Sequence, residues 1–255
     1  MTTHPLPKLH RAGRGTPLVL MHCLGVDRHM WRDTVVALQD RHDIITYDLP
    51  GHGESPVPRL DYTIADLSEQ LSAALSAAGI NRAHVAGVSL GGLVAQHFAA
   101  HNASRVDRLV LIDTVASYSP EWRQRLLDRG AEAGAKGTRV LAEGVIGSWF
   151  TAAAIAANGP AVRYIRQVFC TTPGEGYAKA CKALVAADHE SLASRILAPT
   201  LALCGDQDAP IFLSAAQWFV DHLDDAKLVW LKPGKHAALL EQPEQFVAAL
   251  RSHLS

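Results

Sequence analysis

Apolar positions in this chain fall into short unbroken runs separated by longer stretches of helical period. Residues 16–23 (TPLVLMHC), 43–48 (DIITYD), 106–113 (VDRLVLID) and 199–205 (PTLALCG) read as buried strands, as do the short run at Val85-Ala86 and residues 227–231 (KLVWL). A β-hairpin is predicted ahead of the first long run, turning near Gly13-Arg14-Gly15. Between the runs, Met30, Trp31, Val35 and Leu38 mark one amphipathic helix, and Ile64, Leu67, Leu71, Ala74 and Ala78 another. Thr63 with Asp66 three residues on gives the second helix a capping-box start. Further helices are predicted from Leu90 to about His101, over residues 212–222 and over 243–254. Strands alternating with helices at this spacing imply an α/β fold with a mostly parallel sheet covered on both faces.

The alternation stops after Asp113. Residues 117–195 contain no convincing strand, only helix-like segments punctuated by Gly130, Gly144, Gly159-Pro160 and Pro173-Gly174. The expected organisation is therefore a core built from residues 1–116 and 196–255, with residues 117–195 inserted as a helical cap.

Composition narrows the classes of partner. At 255 residues the chain can bury a large core as one domain with an insertion. A formal net charge of −1 gives no electrostatic reason to expect nucleic acid or a membrane surface. The four cysteines, Cys23, Cys170, Cys181 and Cys204, form no C-x-x-C pair and no metal-ligand spacing, which fits a reduced cytoplasm and no metal site. Residues 1–13 lack an apolar signal core, and no later run approaches a membrane span.

The stretch with chemical content is HVAGVSLGGLVAQ, residues 84–96. A buried strand meets Gly87-Val88-Ser89-Leu90-Gly91 and a helix begins at once, the context in which G-x-S-x-G presents a serine on a sharp strand-to-helix turn. A serine hydroxyl needs a base to take its proton and a carboxylate to orient that base. In a parallel sheet the loops at the carboxyl ends of the strands meet in one crevice. Those loops bring together Leu24, Ser89, Asp113, Asp208 and the loop of His236. His236 is the candidate base. Asp208 and Asp113 compete as its acid; Asp208 is favoured because its strand neighbours the one leading to His236. Asp206 reads as a turn former. The backbone N–H of Leu90 is one candidate donor to an oxyanion, and that of Leu24, with Cys23 as the alternative, is the second.

These motifs carry a resemblance over nearly the whole chain. GVSLGG, GHGES, GDQD and the H-x-x-x-x-E-x-P segment at His236 resemble the α/β-hydrolase superfamily. Within it, CLGVDRHMW, Trp149-Phe150-Thr151 and TTPGEGYAKAC resemble 3-oxoadipate enol-lactonases. The resemblance implies an α/β-hydrolase fold, a Ser89–His236–Asp208 triad and oxyanion donors at Leu24 and Leu90. It further implies cofactor-free opening of a small carboxylate-bearing lactone in the β-ketoadipate pathway. The chain departs from the family pattern at His22-Cys23 and at residues 209–212 (APIF), both bordering the expected site.

Other side chains have two readings each. Cys23 and Trp149 are candidate substrate contacts, with core packing as the alternative. Arg123, Arg163, Arg166, Lys179 and Lys182 are cations of the insertion, any one of which could hold a substrate carboxylate or stand in solvent. His22 and His52 could serve the site or stabilise turns. The same triad would also serve a general carboxylesterase, another lactonase or a haloperoxidase-like perhydrolase. A ligand receptor that has lost turnover could retain it as well.

Overall fold

The computed structural model describes residues 5–255. Residues 1–4, part of the N-terminal stretch read above as lacking a signal core, lie outside the described residues. In chain order the elements are β1 (His10–Gly13), β2 (Thr16–Met21), α1 (Arg32–Leu38), β3 (His42–Tyr47), α2 (Ile64–Ala77), β4 (Ala83–Val88), α3 (Leu90–His101) and β5 (Val106–Ile112). There follow α4 (Pro120–Lys136), α5 (Ala142–Trp149), α6 (Ala152–Ala157), α7 (Pro160–Thr171) and α8 (Gly174–Ala186). The chain closes with β6 (Thr200–Gly205), α9 (Pro210–His222), β7 (Ala226–Leu231), α10 (Ala238–Glu241) and α11 (Pro243–His253).

The strands form one sheet in the order β1-β3-β2-β4-β5-β6-β7, parallel except for β1. This is the sheet of an α/β-hydrolase fold. From β2 the chain steps outward to β3 and then returns to place β4 on the other side, so the strand order reverses between β2 and β4. At such a reversal the two following loops part and leave a crevice. The loop at Leu24 and the turn at Ser89 are the two loops that border it.

The hairpin predicted at Gly13-Arg14-Gly15 does not form. β1 pairs antiparallel with β3, His10 facing Thr46 and Gly13 facing Asp43, while β2 lies parallel on the other side of β3. Burial explains the choice: the last four residues of β2 are buried and need a central position, whereas β1 alternates between exposed and half-buried and suits an edge. Positive φ at Gly13 and Gly15, +88° and +116°, lets the chain cross from the edge to the interior in two residues.

Between β5 and β6 the five helices α4 to α8 form a layer over the carboxyl ends of the strands. Both connections run side by side: Ser117 and Asp188 make an antiparallel bridge, and His189 N–H donates to Ala116 O at 2.9 Å. α7 and α8 seat this layer on the core. Thr172 Oγ1 donates to Gly25 O at 2.9 Å, and the Tyr164 hydroxyl donates to Asp27 Oδ1 at 2.7 Å. Gly176 lies on Gly51 so closely that a Cβ there would stand 2.5 Å from Gly51 O. No helix among the described residues is long and apolar enough to cross a membrane.

Several imidazoles are folded into the interior as neutral groups. His42 packs on His84 at 5.6 Å, and His97 lies against His189 at 5.8 Å, with the exposed His101 stacked on it at 4.0 Å. Burial, first of all, pushes His52 down to about 3 and His84, His97 and His189 to about 4. In the unfolded chain these rings would titrate at their ordinary 6.5. Between about pH 6.5 and 4 the unfolded state therefore binds more protons than the folded one, and stability falls as pH falls. Thermal melts at constant ionic strength should show Tm dropping steeply through that window. A Tm that holds level or rises there would contradict the neutral burial of these rings.

Candidate active site

Ser89 terminates β4 and precedes α3 with φ +50° and ψ −108°, a left-handed conformation that a side chain other than glycine adopts at a cost. The close approach of neighbouring backbone holds it there. A Cβ on Gly87 would stand 2.1 Å from Gly91 O, and one on Gly91 2.4 Å from Met21 O, so strand, turn and helix can cross only with glycine at both places. Ser89 N–H donates to Ile112 O at 2.9 Å, and Thr114 Oγ1 donates to Ser89 O at 2.8 Å. With the turn pinned on both sides, the side chain projects into a cavity instead of into the core. Leu90 opens α3, where first-turn N–H groups have no partner within the helix.

His236 stands in the loop between β7 and α10, 7% exposed, and its Nδ1 faces Asp208 Oδ2 at 2.8 Å. The ring must carry its proton on Nδ1 to make this bond, which leaves Nε2 as the basic nitrogen. Asp208 follows β6, and its second oxygen accepts the Ala209 N–H at 2.7 Å. The two loops are stitched together. Asp206 Oδ1 accepts Gly234 N–H at 3.1 Å, and Gln207 N–H donates to Gly234 O at 2.8 Å. Glu241, five residues beyond the histidine, accepts Lys235 N–H on one oxygen and Thr151 N–H and Oγ1–H on the other. Ala237 N–H donates to Trp149 O, so the histidine loop is also tied to α5. Sequence shows Glu241 only as a member of a motif; its work is to hold the backbone just before His236 and tie it to Thr151.

Burial opposes a charge on His236, but the carboxylate of Asp208, through its charge and its hydrogen bond, outweighs burial and raises the imidazole above its ordinary value. Asp113, 1% exposed at the end of β5, does not touch the histidine by any hydrogen bond. Its Oδ1 accepts Gly205 N–H at 2.9 Å.

Ser89, Asp208, His236 and Leu24 line one small cavity of about 70 Å³, roofed by Trp122, Leu126, Arg129, Ser148, Trp149 and Leu184 of the helical layer. Its walls are mainly apolar. Phe212 packs on the His236 ring at 4.3 Å and Trp149 at 5.6 Å, so the ring is held from two sides. Two roomier clefts, of about 550 and 900 Å³, lie elsewhere and contain neither Ser89 nor His236. Trp149 is thus at the cavity, whereas Cys23 is buried, 2% exposed, and is not among the lining residues. His22 is fully engaged in a turn, Nδ1–H donating to Cys23 O and Nε2 accepting Leu49 N–H, both at 2.8 Å.

None of the five basic residues considered above lines this cavity. Arg123 donates to three backbone carbonyls, Arg163 to Asn158 O, Arg166 to Glu143, Lys179 to Pro58 O and Arg59 O, and Lys182 to Asp61. The cation at the cavity is Arg129, which sequence reasoning misses. It is half-buried and donates to the hydroxyl of Tyr177, a neutral acceptor. The available signal is its spacing: Trp122, Leu126 and Arg129 fall on one face of α4, the face turned inward.

Comparison with known proteins agrees with this architecture. A family profile described as the alpha/beta hydrolase fold matches residues 16–243. A 3-oxoadipate enol-lactonase of Acinetobacter baylyi is 30% identical over 231 residues, 90% of this chain and 85% of that protein. The crystal structure of the enol-lactonase from Burkholderia xenovorans LB400 superposes with a TM-score of 0.92 at 31% identity, covering 97% of this chain and 96% of that one. A thermophilic esterase from Thermogutta terrifontis, solved with malate bound, has a TM-score of 0.92 at 27% identity, covering 97% of this chain and 92% of its own.

The raised imidazole of His236 gives a direct check. Followed by NMR, this ring should titrate with a midpoint above the ordinary 6.5, against the downward shift of the other buried histidines. A midpoint below 6.5 would mean that Asp208 is not ionised beside it.

Proposed function

The chain belongs to the α/β-hydrolase family, and on that premise we propose that it is a serine hydrolase opening a small lactone with a free carboxylate, namely 3-oxoadipate enol-lactone, to give 3-oxoadipate in aromatic catabolism. The observation that carries the substrate class is Arg129. Its guanidinium borders the apolar cavity, bonded to a neutral phenol and, among the described residues, paired with no carboxylate. A substrate carboxylate would supply a charge-assisted, bidentate partner, whereas a neutral ester would offer only a weaker, uncharged acceptor. The resemblance to enol-lactonases supports the same reading, as does the dicarboxylate malate held by the similar esterase. The small cavity disfavours long acyl chains.

In the proposed reaction Ser89 Oγ attacks the ring carbonyl while His236 Nε2 takes its proton. Asp208 keeps the ring in the Nδ1–H tautomer and stabilises the imidazolium that forms. The N–H groups of Leu24 and Leu90 receive the developing oxyanion, a contribution of about 2.7–4 kcal/mol for each such donor. Collapse opens the ring, and the enol oxygen leaves with the proton from His236. Water, deprotonated by His236, then attacks the acyl-serine; as the acyl–oxygen bond breaks, His236 returns the proton to Ser89 Oγ, and the released enol becomes the ketone. Every step uses side chains and water, so no cofactor or metal enters. The helical layer of residues 117–195 acts as a cap that excludes bulk water from these steps.

Ser89→Ala or His236→Ala should lower kcat by about 10⁴–10⁶, because such residues act as a unit. Retention of more than a tenth of the activity in Ser89→Ala would sink the serine mechanism. For the substrate, kcat/KM on the enol-lactone acid should exceed that on its methyl ester or on p-nitrophenyl butyrate by about a hundredfold or more, the cost of losing a buried charge contact. Arg129→Met should erase most of that preference. Equal turnover of acid and neutral ester by the wild-type chain would favour a general carboxylesterase.

A further inference from the structure

One polar side chain that lines the cavity has no place in the reaction above. Tyr118 lies in the connection from β5 to α4, 5% exposed, and borders the same space as Ser89 and Arg129. Its hydroxyl meets the Ser89 side chain in a hydrogen bond, and the charges of Arg129 and Asp208 both act on it. The phenol therefore stands at the nucleophile itself, within the field of the cavity's cation.

The backbone around Tyr118 is gripped from several sides. Arg123 Nε donates to Tyr118 O at 2.8 Å, and the same guanidinium reaches Val185 O and Ala187 O on the returning connection. One residue earlier Ser117 bridges Asp188, and one residue later Ser119 accepts the Trp122 N–H and starts α4. A donor held in this way needs no reorganisation when charge develops beside it. Burial, before anything else, pushes the phenol above its ordinary range and outweighs Arg129 and Ser89, which pull it down. Tyr118 thus keeps its proton and remains a hydrogen-bond donor.

Connectivity says which substrate oxygen it serves. A phenol that donates to Ser89 Oγ leaves the serine's own proton free for His236. After attack, Oγ, the carbonyl oxygen and the ring oxygen are bound to one tetrahedral carbon, so a donor in reach of the first is in reach of its neighbours. The carbonyl oxygen already has the N–H groups of Leu24 and Leu90 in the reaction above. The ring oxygen takes one proton from His236 and has a further lone pair to offer. We propose that Tyr118 is a catalytic residue that donates a hydrogen bond to the leaving oxygen as the ring opens. The bond between the acyl carbon and the ring oxygen breaks, and its electron pair stays on that oxygen. The proton that completes the enol comes from His236 Nε2, and Tyr118 keeps its own. The proposal rests on the serine-hydrolase reading above and adds to it a group that grades substrates by their leaving oxygen.

The test compares Tyr118→Phe with the wild-type chain on substrates that differ in their leaving oxygen. A hydrogen bond to developing charge strengthens with that charge, so its loss tells most where the leaving group is poorest. The quantity to follow is kcat/KM, which reports the step that expels the leaving group. It should fall by about tenfold on the enol-lactone and by about a hundredfold on the saturated lactone of the same shape, whose leaving oxygen is an alkoxide. On p-nitrophenyl acetate, whose leaving group needs no assistance, it should change by less than about threefold. Equal loss on all three is the mark of a disturbed serine or of a third donor to the carbonyl oxygen, and it would overturn the proposal, as would no loss on any. Tyr118→3-fluorotyrosine is an independent variant, a stronger donor of nearly the same shape. It should raise kcat/KM on the saturated lactone by about twofold to threefold with p-nitrophenyl acetate unchanged, and the lack of any rise would count against the proposal equally. Should the wild-type chain turn over neither lactone, the same graded loss across p-nitrophenyl, phenyl and ethyl acetates decides the matter. The substrate reading can thus fail while this inference stands, whereas an active Ser89→Ala defeats both.

Discussion

The crossing of α3 over the ends of β2 and β4 is the constraint on which the rest of the molecule depends. Backbone touches backbone there, Gly87 against Gly91 and Gly91 against Met21, with no room for a single Cβ. That contact forces the positive φ of Ser89 and fixes where its hydroxyl emerges. It also sets the height of α3 above the sheet, so the loop at Leu24 and the turn at Ser89 open on the same crevice. Everything brought to the serine afterwards, from β6, from β7 and from the inserted helices, is arranged around a point that the backbone alone has defined.

The supporting pieces are tied to one another as much as to the core. Asp206 and Gln207 join the acid turn to the loop of His236, and Glu241 joins that loop to Thr151 at the end of α5. A histidine raised by its acid and clasped between Phe212 and Trp149 has little freedom to turn away. The fixed ring contrasts with the other interior imidazoles, which burial keeps neutral and which only pack or bridge turns.

Much of this is legible in the sequence because it is written in local patterns. The buried runs, the capping box at Thr63 and the break in alternation after Asp113 depend on residues close together in the chain. The glycine-flanked serine belongs with them. What escapes depends on choices between distant partners. Local pattern joins β1 to the wrong neighbour because a turn at Gly13 permits a hairpin, and only the competing burial of β2 on both sides forbids it. Arg129 is hidden among the basic residues of the insertion. Five others are engaged with carbonyls and carboxylates that no linear spacing reveals, and the face of α4 that looks inward is set by its packing on α8. Asp113 is visible in the sequence as a rival to Asp208 for position, but that His236 bonds Asp208 while Asp113 accepts from Gly205 can be seen only in three dimensions.

The way the inserted helices are seated has a bearing on how such a chain could be remade. α7 and α8 grip the core through Thr172 on Gly25, Tyr164 on Asp27 and the backbone contact of Gly176 with Gly51, beside the very loop that carries Leu24. The end of α5 is bound to the histidine loop. α4 contributes Trp122, Leu126 and Arg129 to the cavity roof and packs mainly on its fellow α8, touching the frame of the site through Trp122 on Phe212. The largest share of the roof and the firmest attachments to the core thus lie on different helices. One amphipathic segment can be rewritten, by drift or by design, to reshape the cavity while most of the frame around Ser89 and His236 goes untouched.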